Sequence, residues 1–263
     1  MASSTITVAT YNIHDAVGSD GKFAPERIVA VLGEIDADII ALQEVGANHD
    51  GVDTLARLRD ATGLHAVAGP ARWRAAGGHG NCLLSRHPIV ECTHLDLTFQ
   101  RREARSALDA VVDCEGTLLR VLATHLGLRP AERRAQVRSL LKALEAETPH
   151  PTLLMGDLNE WFLWGRPLRW LHRHFQATPS PRSFPARAPL LALDRIWVEP
   201  RALLQRLWVH LTPAARAASD HIPVVADIRL PDATLTSRRA PPMLHRPPAT
   251  VAAGPTGKSA ADR

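Results

Sequence analysis

Cysteine is scarce in this sequence: Cys82, Cys92 and Cys114 are the only three, and no two stand in a Cys-x-x-Cys spacing. An odd count without that spacing excludes a disulfide framework and a cysteine-based zinc site, so all three are read as reduced. Lysine is scarcer relative to its partner. Of 31 basic residues 3 are lysines and the other 28 are arginines, which reads as a coding bias. The net charge of +4 is therefore compatible with an anionic substrate but does not by itself point to nucleic acid. Long apolar runs are missing as well, because Asp, Glu or Arg interrupts every stretch before the roughly 18–20 residues needed to span a bilayer. Met1-Ala2-Ser3-Ser4 carries no basic region followed by an apolar one, as a secretory leader would. The expectation is a cytoplasmic protein, monomeric, with no integral membrane segment.

The composition, 45% hydrophobic and 22% charged, is that of a globular chain able to bury a core. Apolar and polar residues alternate from Thr5 to Tyr11, which predicts a strand delivering Asn12 to its tip. Pro25, with Ile28, Val31, Leu32 and Ile35 at helical spacing, opens a helix, and Asp38–Gln43 reads as a second strand ending at Glu44. A helix near 52–62 follows, then short strands at 64–69, 80–85, 88–98, 104–113 and 117–124. The remaining pattern predicts a helix from Pro130 to about Glu147, a strand at 151–155, a short helix at 166–174, and strands near 192–198, 205–211 and 222–229. Many strands with a few interspersed helices imply an α+β fold, a four-layer α/β/β/α sandwich of two packed mixed sheets flanked by helices. One domain over 1–230 is expected, with a disordered Pro-, Ala- and Arg-rich tail over 231–263.

The chemistry lies in a recurrence. Asn12, Glu44, His125, Asp157, Asn159, Asp194, Asp220 and His221 each follow an apolar stretch, where a rigid sheet can aim side chains into a shared cleft. Asp157 and Asn159 are two apart, so in an extended chain both face one side while Leu158 enters the core. A donor set rich in carboxylate and amide oxygen suits Mg2+ or Mn2+ rather than zinc.

Tyr-Asn-Ile at 11–13, Leu-Gln-Glu at 42–44, Gly-Asp-Leu-Asn at 156–159 and Ser-Asp-His at 219–221 resemble, in order, the motifs of the endonuclease/exonuclease/phosphatase superfamily. That superfamily spans deoxyribonucleases, apurinic endonucleases, neutral sphingomyelinases and inositol phosphatases, and the resemblance covers residues 5 to about 229. It implies a metal-dependent phosphoesterase. It makes Glu44 the principal metal ligand, with Asn12 beside it and Asp220 completing the metal environment. By the same resemblance Asp157, assisted by Asn159, orients or deprotonates the attacking water. His221 donates to the phosphoryl oxygens with Asp194 fixing its ring, and His125 contacts the scissile phosphate. Arg105 is a candidate phosphate clamp, with Arg101 and Arg102 equally available. Val45-Gly46 after Leu-Gln-Glu departs from the Thr-Lys pair of apurinic endonucleases and disfavours that branch. The implied substrate is a phosphodiester, with nucleic acid or a phospholipid head group as leading classes. The alternative is a catalytically silent module that binds phosphorylated ligands.

Blander readings attach to several residues. Asp and Asn cap turns well, Asp194 has Arg195 beside it as a salt-bridge partner, and His125 suits a core. His14, Asp15, His79 and Asn81 read as exposed, structural loop residues. Gly77-Gly78-His79-Gly80 reads as a flexible turn, because it lacks the context and the lysine of a P-loop. Trp161-Phe162-Leu163-Trp164, with Trp170, reads first as core packing and second as an apolar rim beside the reacting phosphate.

Overall fold

The computed structural model describes residues 4–46, 49, 51–69, 79–146 and 148–231. The predicted disordered tail, Pro231 apart, lies outside the described residues, as do Gly77 and Gly78 of the predicted turn. Strands β1 (Thr5–Asn12), β2 (Ile39–Gly46), β3 (His65–Ala68) and β4 (His79–Ser85) join β10 (Leu204–Val209) and β11 (Val224–Arg229) in a six-stranded sheet, ordered β10-β11-β1-β2-β4-β3. The five-stranded sheet runs in chain order through β5 (Ile89–Asp96), β6 (Ser106–Cys114), β7 (Thr117–His125), β8 (Thr152–Asp157) and β9 (Asp194–Glu199). The two mixed sheets and their flanking helices form the expected sandwich.

Both faces of each sheet are covered, which explains why the central strands read as nearly unbroken apolar runs. Val8, Ile39, Ala41 and Leu83 point between the sheets against Val121, Ala123, Leu153 and Met155. Their neighbours Ala9, Ile40, Leu42 and Leu84 point outward, under α1 (Pro25–Ile35), α2 (Thr54–Thr62) and the last helix, Pro213–Ala218. On the other side Leu122, Leu154 and Trp197 lie under α3 (Pro130–Leu144) and α4 (Arg166–Phe175). One-residue alternation thus splits each strand between the central layer and an outer one.

Element boundaries fall within a few residues of those expected, α3 stopping at Leu144 instead of near Glu147. The helix Pro213–Ala218, α5, was not anticipated. Its signal was present, since Thr212 accepts a hydrogen bond from the Ala215 amide (3.1 Å) and Pro213 takes the first helical position. The aromatic segment corrects the first reading of it: Trp161, Phe162, Leu163 and Trp164 are all exposed rather than packed in the core.

Candidate active site

Strand direction gathers the site. β1 runs parallel to β2 and β7 parallel to β8, so their C-terminal ends, bearing Asn12, Glu44, His125 and Asp157, lie at one edge of the sandwich. β9 is antiparallel to β8 and β11 to β1, so their N-terminal ends arrive at the same edge, with Asp194 opposite Asp157 and Ser219-Asp220-His221 leading into β11. Asn12, Asp157, Asp194 and His221 are four polar residues buried there together.

Asp157 is the hub. Its Oδ2 accepts from Asn12 Nδ2 (3.1 Å) and lies 3.4 Å from His125 Nε2 and 3.8 Å from His221 Nε2. Its Oδ1 accepts from the Asn159 backbone N–H at 2.8 Å. That bond requires a turn rather than an extended chain: Asn159 is in the left-handed region (φ 49°), a conformation Asn tolerates. Leu158 still enters the core, and the Asn159 amide donates to the Leu126 carbonyl (2.9 Å) with His125 Nε2 3.0 Å away. Burial raises the Asp157 carboxyl to about 6, with the His221 charge opposing it.

Asp194 meets His221, not Arg195. Its Oδ2 lies 2.8 Å from His221 Nδ1, while the Arg195 side chain turns the other way along the strand to donate to Ser180. Burial alone would lower the His221 value. Asp194 and then Asp157 outweigh it, and the ring is pushed up to about 10, an imidazolium at neutral pH. Phe184 covers one face of this ring, centroid to centroid 4.8 Å. His125 has the opposite fate, since burial and then the Arg105 charge hold it well below the usual histidine range. Arg105 donates to His125 Nδ1 (2.7 Å), a contact that a neutral ring accepts and an imidazolium could not. Arg105 also pairs with Glu103 (2.8 Å), so among the three candidate arginines it is the one tied into the site.

Glu44 departs from regular strand geometry. Pairing of β2 with β4 shifts register between Leu42 and Val45, and Glu44 within that bulge has φ 54°. A bulge re-aims a side chain, here into the cavity that regular alternation would not serve. Glu44 Oε1 accepts from Asn12 Nδ2 at 3.0 Å, so two carboxylates converge on a single amide nitrogen. Asn12 Oδ1 is turned away, accepting from the His14 N–H (3.0 Å), so in this arrangement Asn12 sets the spacing of the two acids. Asp220 lines the same cavity, with its carboxylate beside Ser219 Oγ (3.4 Å) and His14 Nδ1 (3.9 Å).

Two places in the site carry cation-binding donors. Asp157, Asp194 and His221 place one ligand atom each within 4.8 Å of one another. There the imidazolium already offsets one of the two acids, and a metal would have to displace its proton. The Glu44 side offers half-buried carboxylate oxygen open to the cavity, a hard donor set that fits Mg2+ or Mn2+.

The cavity holds about 440 Å³ and is lined by Glu44, His125, Asp157, Asn159, Asp220 and His221, with Arg105. His79, which the sequence pattern presents as a structural loop residue, also lines it. Asp15 Oδ2 holds His79 Nε2 (3.3 Å) and His49 Nδ1 (2.8 Å), and the Asp15 bond raises the His79 value. His14, Asp15 and Ala16 all have positive φ, and Asp15 packs so closely on Gly46 that a Cβ there would lie 1.8 Å from Asp15 Oδ1. The usable signal was the glycine after Leu-Gln-Glu-Val. The apolar wall, Leu128, Trp161, Phe184, Leu191 and Leu193, was anticipated only through Trp161.

The comparisons agree with this geometry. The model of the Endonuclease/Exonuclease/phosphatase family matches residues 9–221. The chain is 31% identical over 250 residues to the uncharacterized Escherichia coli K12 protein YbhP, covering 85% of this chain and 96% of that one. An endonuclease/exonuclease/phosphatase structure from Beutenbergia cavernae superposes with a TM-score of 0.71 at 26% identity, covering 87% of this chain and 72% of that one. A mannosyl-6-phosphatase from Bacteroides thetaiotaomicron shares the fold (TM-score 0.67, 19% identity, 84% and 98% covered). With the matched span running from β1 to the Ser-Asp-His segment, the chain belongs to the Endonuclease/Exonuclease/phosphatase family.

Proposed function

We propose that the chain is a divalent-cation-dependent phosphodiesterase, a reading carried by one observation: Asp157 contacts Asn12, His125 and approaches His221 in a single cavity. Family membership supports a phosphoester hydrolase, and the family is generally dependent on divalent metals. Glu44, with Asn12 beside it and Asp220 lining the same cavity, would hold Mg2+ or Mn2+. When bound, such a cation would supply positive charge to the phosphoryl oxygens.

The residues divide the remaining work. Asp157, with a carboxyl near 6, is ionised at neutral pH yet basic enough to take a proton from water. The water oxygen then bonds to phosphorus as the ester P–O bond breaks, and the departing oxygen leaves with the electron pair. Negative charge growing on the phosphoryl oxygens meets the His221 imidazolium and the Asn159 amide beside His125, both fixed before reaction. Arg105 holds the His125 ring through Nδ1, and Asp194 holds the His221 ring and its proton. Held by Asp15, His79 would bind a substrate oxygen at the far lip.

The lining favours a diester. Glu44, Glu103, Asp157 and Asp220 repel a doubly charged monoester, and the apolar wall offers a surface for a second ester group. Purified protein with Mg2+ should cleave bis(4-nitrophenyl) phosphate, and chelation should abolish turnover. Glu44→Ala and Asp157→Ala should each lower kcat/KM at least about 100-fold while circular dichroism stays unchanged. Full turnover in chelator would refute the proposal.

A further inference from the structure

Exposed large apolar side chains are concentrated on one part of this surface. Among the described residues nine are exposed, and seven of them belong to three segments at the cavity mouth: Leu128, Trp161–Trp164, and Leu190 with Leu191. Leu128, Trp161 and Leu191 line the cavity itself. From Trp161 an aromatic row leads outward, with ring centroids 5.7 Å to Phe162 and then 5.9 Å to Trp164, which is 74% exposed. Leu163, Leu128 and Leu190 are themselves 59–65% exposed.

The display is held firmly. Buried Arg133 pairs with buried Glu160 (3.2 Å), donates to the Leu128 carbonyl (2.6 Å), and stacks its guanidinium over Trp161 at 4.8 Å. Glu160 in turn accepts from the Phe162 N–H (3.1 Å). One buried ion pair thus fixes two of the three segments that carry apolar groups toward water, an arrangement that costs stability unless something covers them.

We infer that this rim docks the active-site mouth onto an anionic phospholipid bilayer, and that the phosphoester drawn into the cavity belongs to a lipid head group. The substrate half rests on the phosphodiesterase reading; the docking half does not. The chemistry favours a bilayer over other occupants. Whatever covers the rim also covers the cavity entrance, so a second copy of the chain would seal the site, whereas a bilayer carries phosphodiesters at that depth. Nucleobases would stack on Trp161 and Trp164 but gain little from Leu128, Leu163, Leu190 and Leu191, which prefer hydrocarbon. Tryptophan at an interface with leucine below it is the arrangement of side chains that settle at head-group level. Arg101, Arg102, Arg166 and Arg182 are exposed in the segments bordering the cavity, complementary to anionic head groups.

The full chain should be mixed with vesicles of phosphatidylcholine, with and without phosphatidylglycerol, and binding read by sedimentation and by tryptophan emission. Binding to the phosphatidylglycerol vesicles with a blue shift is expected. The double variant Leu163→Ser/Trp164→Ser should bind at least about tenfold more weakly, since each side chain removed from hydrocarbon is worth about that factor. Its thermal unfolding and its turnover of bis(4-nitrophenyl) phosphate should match those of the unaltered protein, because neither residue lines the cavity. Absence of vesicle binding, or equal binding by the variant, overturns the docking inference even if the soluble diester is cleaved. Self-association lost in the variant without vesicle binding would assign the rim to a second copy and overturn it too. Vesicle binding without release of any phospholipid head group, while the soluble diester is cleaved, refutes the substrate half alone.

Discussion

Replacing Asp194 by Asn tests the charge logic of the site most directly. The carboxylate is the largest influence raising His221 against its burial, and the raised value near 10 represents a preference for imidazolium of roughly 5 kcal/mol over an ordinary histidine. Asn fills the same volume and can still meet Nδ1, but it carries no charge. Burial then prevails, and the His221 value should fall to neutral or below. With the native protein, kcat/KM for bis(4-nitrophenyl) phosphate should rise through about 6 as Asp157 ionises, hold a plateau, and fall near 10 as His221 loses its proton. His125, held neutral, adds no limb in that window. In Asp194→Asn the basic limb should move down to near neutrality, and activity at pH 8 should drop at least about tenfold. Stability supplies a second readout with a fixed sign. His221 has a folded value above its ordinary 6.5, so its contribution is complete below 6.5 and is lost as pH rises through about 10. The variant should lack that decline in urea denaturation. A basic limb still near 10, or activity at pH 8 within threefold of the native protein, would refute the reasoning.

Three further outcomes follow from the geometry. Glu160→Ala strands Arg133 in the interior and should destabilise by about 3–5 kcal/mol in urea titrations, while Arg133→Met/Glu160→Leu should recover most of it. Gly156→Ala would place a Cβ 1.9 Å from the Thr124 carbonyl at the base of the site, so its melting temperature should fall by several degrees together with turnover; an unchanged melt would count against the packing described. Asp15→Ala frees His79 and should raise KM severalfold with kcat within about twofold, whereas an equal fall in kcat and kcat/KM would place His79 in the transition state instead.

Much of this protein was legible in the sequence because strands announce themselves by alternation, and polar residues that interrupt it at strand ends stand out. The sandwich, the order of its elements and the set Asn12, Glu44, His125, Asp157, Asn159, Asp194, Asp220 and His221 at one edge follow from local pattern and family resemblance. Only the tertiary structure decided how they are arranged. Asp157 touches Asn12 across 145 residues of chain, a pairing no local rule encodes. The bulge that turns Glu44 inward arises from its pairing with β4, and the left-handed turn at Asn159 from a bond to Asp157. Which histidine keeps a proton depends on burial and on the neighbouring charge, Asp194 for His221 and Arg105 for His125. The outward display of Trp161–Trp164 rests on the buried Arg133–Glu160 pair, formed between residues 27 apart. Periodicity reports which face of an element is apolar, and only packing determines whether another part of the chain covers it.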